Sequence, residues 1–324
     1  MPSNKMITLH ARLKSITNVA NGINAFELIG GGEDPLPPFT AGSHIDIHLD
    51  NGLIKQYSLC NDPDEINRYV FAVQREETGN GGSKAIHDTL RAGDYLTISI
   101  PRNNFPLAQN VENHLFLAGG IGVTPIMAMI KACQSKSLKF ELIYCVRSPE
   151  KTAFLNELAK IDNVTIHNDQ GDPAHSYDFS ELLGNPMTGT HLYYCGPPGF
   201  MRAVKSAAAN WPKGTCHFEY FTTLDKDHQP AAPENATNAS FQVKLNSTGD
   251  IIDVPVNKSI ADALREHGIE VQTSCESGLC GTCQIRYLEG TPEHHDLILD
   301  EETRKTDILI CCARSHSPLL VLDL

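Results

Sequence analysis

The chain predicts three successive folding units. They are an antiparallel β barrel, a parallel-sheet α/β unit, and a small mixed α/β unit around a cysteine loop. Three observations predict this. Residues up to about 105 show short strands with period-two alternation; the next hundred alternate strand and helix; the tail concentrates cysteines. A length of 324 residues is itself two or three domains, at roughly 100–200 residues each.

In the first unit, 44–49 (HIDIHL), 69–75 (YVFAVQR) and 95–100 (YLTISI) read as strands, with turns at Asp50-Asn51-Gly52 and Ala92-Gly93-Asp94. One short helix is expected at about 83–90. Strands of this length with turn punctuation suit a barrel. The texture changes near Asn113: strands at 114–119, 140–146, 164–167 and 191–196 alternate with helices at 126–133, 152–160, 179–183 and 199–210. Such βαβ alternation means a parallel sheet covered by helices. Residues 225–240 are polar and Pro/Ala/Asn-rich, and read as a linker. A strand at 241–245, an amphipathic helix at 259–267, the cysteine loop and a closing strand LLVLDL follow. The expected divisions are 1–108, 109–225, a linker 226–239, and 240–324.

The chain carries 26 Lys+Arg against 39 Asp+Glu, a formal charge of −13. That balance excludes a general phosphate-backbone binder, so no nucleic-acid partner is expected. Residues 239–324 hold 14 Asp+Glu and 7 Lys+Arg, net −7, so over half the negative charge sits in about a quarter of the length. This suits transient docking on a basic partner, and equally suits simple solubility. Hydrophobic residues at 41% exclude a disordered chain. No run approaches the roughly 20 apolar residues of a membrane helix. The start has no apolar signal core, so no membrane association and a cytoplasmic location are expected. Ten cysteines in a reducing compartment favour metal or redox chemistry over disulfides.

The strongest motif is Cys275-x4-Cys280-x2-Cys283 with a distant Cys311-Cys312 pair. C-x4-C-x2-C…C is the plant-type [2Fe–2S] spacing. Two irons need four thiolates on a wrapping loop, and Gly278 and Gly281 permit the tight backbone. A structural zinc site also uses four thiolates, but an adjacent cysteine pair chelates poorly.

A second motif, Gly119-Gly120-Ile121-Gly122-Val123-Thr124-Pro125, lies between a buried strand and a helix, where a pyrophosphate can approach the backbone. Cys195-Gly196-Pro197-Pro198 forms another strand-to-helix turn, and two such turns frame a nucleotide at a sheet crevice. In the barrel, Lys55-Gln56-Tyr57-Ser58-Leu59 pairs an aromatic face with a hydroxyl, and Gly81-Gly82-Ser83 opens a helix. Together they suit a flat heterocycle with one phosphate; separately they are packing and a helix cap. His294-His295, flanked by Glu293 and Asp296, reads as a solvated loop rather than a metal site. Cys60, Cys133, Cys145, Cys216 and Cys312 read as buried or free thiols.

In this order the pieces resemble the phthalate dioxygenase reductase family, which includes the reductase subunits of vanillate demethylases and other Rieske-type oxygenases. KQYSLCNDP, GNGGS, LAGGIGVTPI, YYCGPPGFM, HFEYF, CESGLCGTC and ILICCARS carry the resemblance, which spans essentially the whole chain. It implies a flavin-binding barrel, an NAD-binding parallel-sheet domain and a C-terminal plant-type ferredoxin domain of β-grasp type.

The resemblance also implies roles. Tyr57 and Ser58 contact the isoalloxazine, Ser58 near the flavin N5. Gly81, Gly82 and Ser83 bind the flavin phosphate. Gly120, Gly122, Val123, Thr124 and Pro125 form the pyrophosphate turn. Cys195 and Gly196 sit against the nicotinamide, while Glu219 and Phe221 lie near the flavin ring. Cys275, Cys280, Cys283 and Cys311 hold the cluster, with Cys311 chosen over Cys312 by its register to the following residues. Lys55 stands where relatives carry arginine for the flavin phosphate; it keeps the charge and loses the bidentate fork.

FMN, NADH and a [2Fe–2S] cluster are the implied cofactors. NADH delivers two electrons, a ferredoxin cluster accepts one, and a flavin converts between them. The implied activity is an NADH-dependent oxidoreductase, a monomer, passing electrons to a separate Rieske-type oxygenase. Glu150 argues against a 2′-phosphate and Arg147 for one; family precedent favours NADH. Two rivals are a stand-alone quinone or dye reductase, and a zinc-stabilised binding module.

Overall fold

The computed structural model describes residues 7–32, 35–77, 81–221, 239–273, 276–279 and 281–324. The expected linker lies outside the described residues except for Ala239, and so do Cys275 and Cys280. The chain forms two bodies, Ile7–Phe221 and a C-terminal one. No helix among the described residues is long and apolar enough to cross a membrane.

The first body opens with strands β1 (Thr8–Ala20), β2 (Ile23–Gly30), β3 (Ser43–His48), β4 (Ile54–Ser58) and β5 (Arg68–Gln74). Helix α1 (Gly82–Thr89), β6 (Tyr95–Ser99) and β7 (Arg102–Asn103) follow. The sheet runs β4-β3-β6-β1-β2-β5, with β7 beside β3, and every pair is antiparallel. The long hairpin β1–β2 escaped the sequence reading, because polar and charged residues interrupt its apolar face. Phe26, Leu28, Ile45, Ile47, Phe71 and Ile98 fill the interior.

Strand β3 is buried on both faces. Ile45 and Ile47 enter the barrel core, yet the outward His44 and Asp46 are 1% and 0% exposed. Arg102 pairs with Asp46 at 2.7 Å, which compensates that buried charge.

Next come β8 (Asn113–Gly119), α2 (Val123–Ser135), β9 (Lys139–Val146), α3 (Leu155–Leu158), β10 (Val164–Asn168), α4 (Phe179–Leu183), β11 (Thr190–Cys195), α5 (Pro198–Ala207) and β12 (Cys216–Glu219). All pairs are parallel, in the order β10-β9-β8-β11-β12. The helix expected over 152–160 is only one turn, α3, because the preceding Pro149–Lys151 forms a tighter 3₁₀ turn and Phe154 takes a left-handed φ of 59°. Barrel residues Ile23, Ala25, Ala41, Cys60 and Ala72 share one apolar core with Phe116 and Tyr193 of the parallel sheet and Ile126 of α2. The two sheets therefore pack as one body.

The second body contains β13 (Phe241–Leu245), β14 (Ile251–Val254), α6 (Ile260–Glu266), β15 (Gln284–Glu289), β16 (Pro292–Glu293), β17 (Asp307–Leu309), β18 (Arg314–Ser315) and β19 (Leu319–Leu322). Its sheet runs β14-β13-β19-β15-β17. Ser259 and Asp262 close a capping box at the start of α6, which fixes that helix end. Ile260 and Leu264 bury its inner face with Val243, Ile308 and Leu320.

Candidate functional site

The chain reverses direction across the parallel sheet between β8 and β11. Ligands bind in such sheets outside the strand C-termini, at that switch point. Both glycine turns lie there. Gly120 has a left-handed φ of 52° with open space where a Cβ would stand. A Cβ on Gly122 would stand 2.3 Å from the Cys195 carbonyl oxygen, and one on Gly196 would stand 3.0 Å from Gly119 Cα. The two turns therefore touch backbone to backbone, and only glycine allows it. Val123, Thr124 and Pro125 form the first turn of α2. Thr124 Oγ1 donates to the Ile121 carbonyl at 3.0 Å and locks the turn. No side chain among the described residues caps this helix; the Val123 N–H already bonds the Gly120 and Ile121 carbonyls and Pro125 has none, so what the turn offers a pyrophosphate is close backbone approach.

Parallel pairing brings Cys195 beside Ala118 on one side and Glu219 on the other. Cys195 is wholly buried, and burial followed by the neighbouring Glu219 pushes its thiol far up, so it stays a neutral thiol. Glu219 ends β12, where burial pushes its carboxyl up to about 7 against the opposing hydrogen bond from Ser58. Ser58 Oγ donates to Glu219 Oε2 at 2.9 Å, joining the end of β4 to the end of β12. Phe221, two residues on, is 39% exposed.

On the barrel side, the Tyr57 ring stacks on Phe71 with centroids 5.4 Å apart. Lys55 lies two residues before Tyr57, on the same face of β4. Its stem runs against the start of α1: a Cβ on Gly82 would meet Lys55 Cε at 2.5 Å. Among the described residues, Gly81, at φ 74°, has open space where its Cβ would stand, and no side chain caps α1. A lysine beside an uncapped glycine helix start fits one phosphate. Ser83 Oγ accepts from the Glu76 N–H at 3.1 Å. His44, which pairs with Ser58 across β3–β4, has no partner for either ring nitrogen among the described residues. Burial, then Arg102, pushes it down to about 3, so it is neutral. A buried neutral imidazole with unused hydrogen-bonding atoms fits a site completed by a bound heterocycle.

In the second body, Cys311 lies within hydrogen-bond reach of the Cys283 and Cys312 thiols and of the Gly278 N–H. The first of these interactions, with Cys283, pulls its thiol well down. Cys312 instead directs its thiol to the Leu309 carbonyl at 3.6 Å. A cysteine pulled toward its thiolate form, beside a second thiol and a backbone N–H, fits an iron–sulfur cluster. Cys275 and Cys280 lie outside the described residues.

One reading needs correction. Glu293 and Asp296 are 5% and 4% exposed, not a solvated loop. Glu293 sits in β16, paired with β18, while Asp296 packs against Gly278 of the cysteine loop. No periodicity announces this, because the segment is held by contacts distant in sequence.

The fold and these sites define a flavin- and nucleotide-binding reductase body with an appended ferredoxin domain. Residues 243–316 match the 2Fe-2S iron-sulfur cluster binding domain, and residues 100–212 match the N-terminal domain of the dimethylamine monooxygenase subunit DmmA-like proteins. The reductase subunit of the tert-butanol monooxygenase / tert-amyl alcohol desaturase of Aquincola tertiaricarbonis is 44% identical, covering 98% of this chain and 96% of its own. Phthalate dioxygenase reductase of Burkholderia cepacia is 38% identical, covering 98% and 97%. A solved phthalate dioxygenase reductase, described as a modular structure for electron transfer from pyridine nucleotides to [2Fe–2S], aligns over 98% of both chains with a TM-score of 0.72 and 38% identity. An intact type IV self-sufficient cytochrome P450 monooxygenase aligns over 98% of this chain and 41% of its own, with a TM-score of 0.86 and 32% identity. The chain belongs to the phthalate dioxygenase reductase family of oxygenase reductase subunits, and it is an oxidoreductase.

Proposed function

We propose that this chain is the NADH-dependent reductase of a two-component Rieske-type oxygenase, acting as a cytoplasmic monomer that meets its oxygenase transiently. The observation that carries the reading is the Ser58–Glu219 hydrogen bond, which closes the barrel onto the switch point of the parallel sheet. The residues present would hold FMN and a [2Fe–2S] cluster, which would supply two-electron acceptance from NADH and one-electron delivery to the oxygenase.

The chain's own residues do the positioning. Lys55 and the Gly81-Gly82-Ser83 turn hold the flavin phosphate, Tyr57 lies along the ring, and Phe221 flanks it. The turn from Gly120 through Gly122 to Pro125 seats the pyrophosphate. Gly196 offers the nicotinamide a compact floor, and the buried, neutral Cys195 thiol next to it adds no competing nucleophile. Glu219, its carboxyl pushed up to about 7 by burial, accepts the Ser58 hydroxyl hydrogen bond at the switch-point crevice and can exchange a proton there near neutral pH. Cys275, Cys280, Cys283 and Cys311 are the proposed cluster ligands, within a domain division of 1–108, 109–225, 226–239 and 240–324.

The test is an NADH-oxidation assay with a small quinone, with a dye, and with a Rieske oxygenase as acceptor. The reading expects substrate turnover by the oxygenase only when this protein and NADH are both present. Rapid NADH consumption with quinone, and no electron delivery to any Rieske protein, would favour a stand-alone reductase.

A further inference from the structure

The buried Asp296 packs against Gly278 of the cysteine loop, and its bonds run within its own segment rather than to solvent. Its Oδ1 accepts from the N–H groups of Ile298 and Leu299 at 3.2 and 2.8 Å. Arg304 Nη2 donates to the same oxygen at 3.2 Å and to the Asp296 carbonyl at 2.8 Å. His294 Nδ1 lies 3.5 Å from Oδ2. These bonds fix one tight turn, and the next residue in it, Leu297, donates its N–H to the Gly278 carbonyl at 3.2 Å.

Gly278 is thereby clamped. It takes a left-handed φ of 71°, and a Cβ there would meet Cys312 Sγ at 2.8 Å on one side and Asp296 Cα at 3.1 Å on the other. Its own N–H faces the Cys311 sulfur. N–H bonds to cluster sulfurs stabilise the more negative, reduced state and raise the potential.

We propose that Asp296 is a positioning residue for the cluster: it holds the turn that fixes Gly278, so that the Gly278 N–H donates to the sulfur of Cys311. Gly278 supplies the hydrogen bond and Asp296 sets its geometry. The proposal rests on the cluster assignment given above.

The test compares Asp296→Asn, Asp296→Ser and Asp296→Ala in the full holoprotein. All three lose the same charge, so electrostatics cancels among them. Asn and Ser keep a side-chain oxygen for the Leu299 N–H, and Ala does not. Cluster content is read by iron and sulfide analysis, and the midpoint potential by a redox titration followed by electron paramagnetic resonance. The expected result is that Asn and Ser agree, while Ala lies lower by about a tenfold change in the reduced-to-oxidised ratio, ~59 mV for one electron. Full loading of Asn and Ser with failure of Ala to load also supports the proposal. Equal potentials in all three at equal cluster content overturn it, as does failure of all three to load, which would assign the requirement to the charge. Absence of a [2Fe–2S] signal in the unmodified protein would instead overturn the cluster assignment.

Discussion

Ser58 and Glu219, 161 residues apart in sequence, share a 2.9 Å hydrogen bond at the mouth of the switch-point crevice. The contact couples the flavin half of the body to the nucleotide half. It also fixes the Glu219 carboxyl, which burial pushes up to about 7.

Replacing Ser58 with alanine leaves the Glu219 carboxyl without its donor. A hydrogen bond to such a group is worth about 1–3 kcal/mol, or roughly fivefold to somewhat over a hundredfold in rate if it is felt at the transition state. Ser58→Ala is expected to slow NADH-driven bleaching of the flavin by that range, read by anaerobic stopped flow, with flavin content retained. An unchanged rate would remove Ser58 from the chemistry.

Stability is expected to respond to pH from both sides. His44 and His217 are pushed from 6.5 down to about 3 and about 4, chiefly by burial. The unfolded chain then binds protons that the folded one refuses, so stability is lost as pH falls below 6.5 toward those values. Glu219 is raised from 4.5 to about 7, so its contribution has the opposite sign: stability is lost as pH rises from 4.5 to 7. Melting curves of Glu219→Gln and the unmodified protein should therefore diverge across that window, with the variant gaining at the upper end. A constant offset would contradict the raised carboxyl.

Gly122→Ala drives a methyl to 2.3 Å from the Cys195 backbone oxygen, which cannot swing aside. Overpacking of this kind costs about 1–3 kcal/mol. The expected outcome is a lower melting temperature together with a weaker NADH dependence of flavin reduction, read as a raised half-saturation. Retention of both would mean that the two turns are not in the contact described.

The two adjacent cysteines make separable predictions. Cys311 lies against Cys283 and the Gly278 N–H, while Cys312 turns to Leu309. Cys311→Ser is expected to lose most of the bound iron and sulfide, and Cys312→Ser to keep it. The reverse pattern would make Cys312 the fourth ligand.

Much of this was legible in the sequence, for identifiable reasons. Short apolar runs such as 114–119 report a buried parallel strand directly, and glycine turns announce close backbone approach at Gly122. The cysteine spacing encodes its chemistry locally. What stayed hidden depends on partners far along the chain. Asp296 looks like any acid in a polar loop until Gly278 is folded against it, and His44 looks like a surface position until the outer face of β3 is covered. Lys55 and Gly82 both stood out as candidates, but only folding shows the lysine stem lying across the glycine.

The central claim is one electron path from NADH through flavin to iron–sulfur. An anaerobic absorbance spectrum of the purified protein, before and after NADH, tests it most directly. The account predicts superposed flavin and [2Fe–2S] bands that bleach together on addition of NADH. A colourless protein carrying zinc, or flavin and cluster bands that NADH leaves untouched, would contradict it.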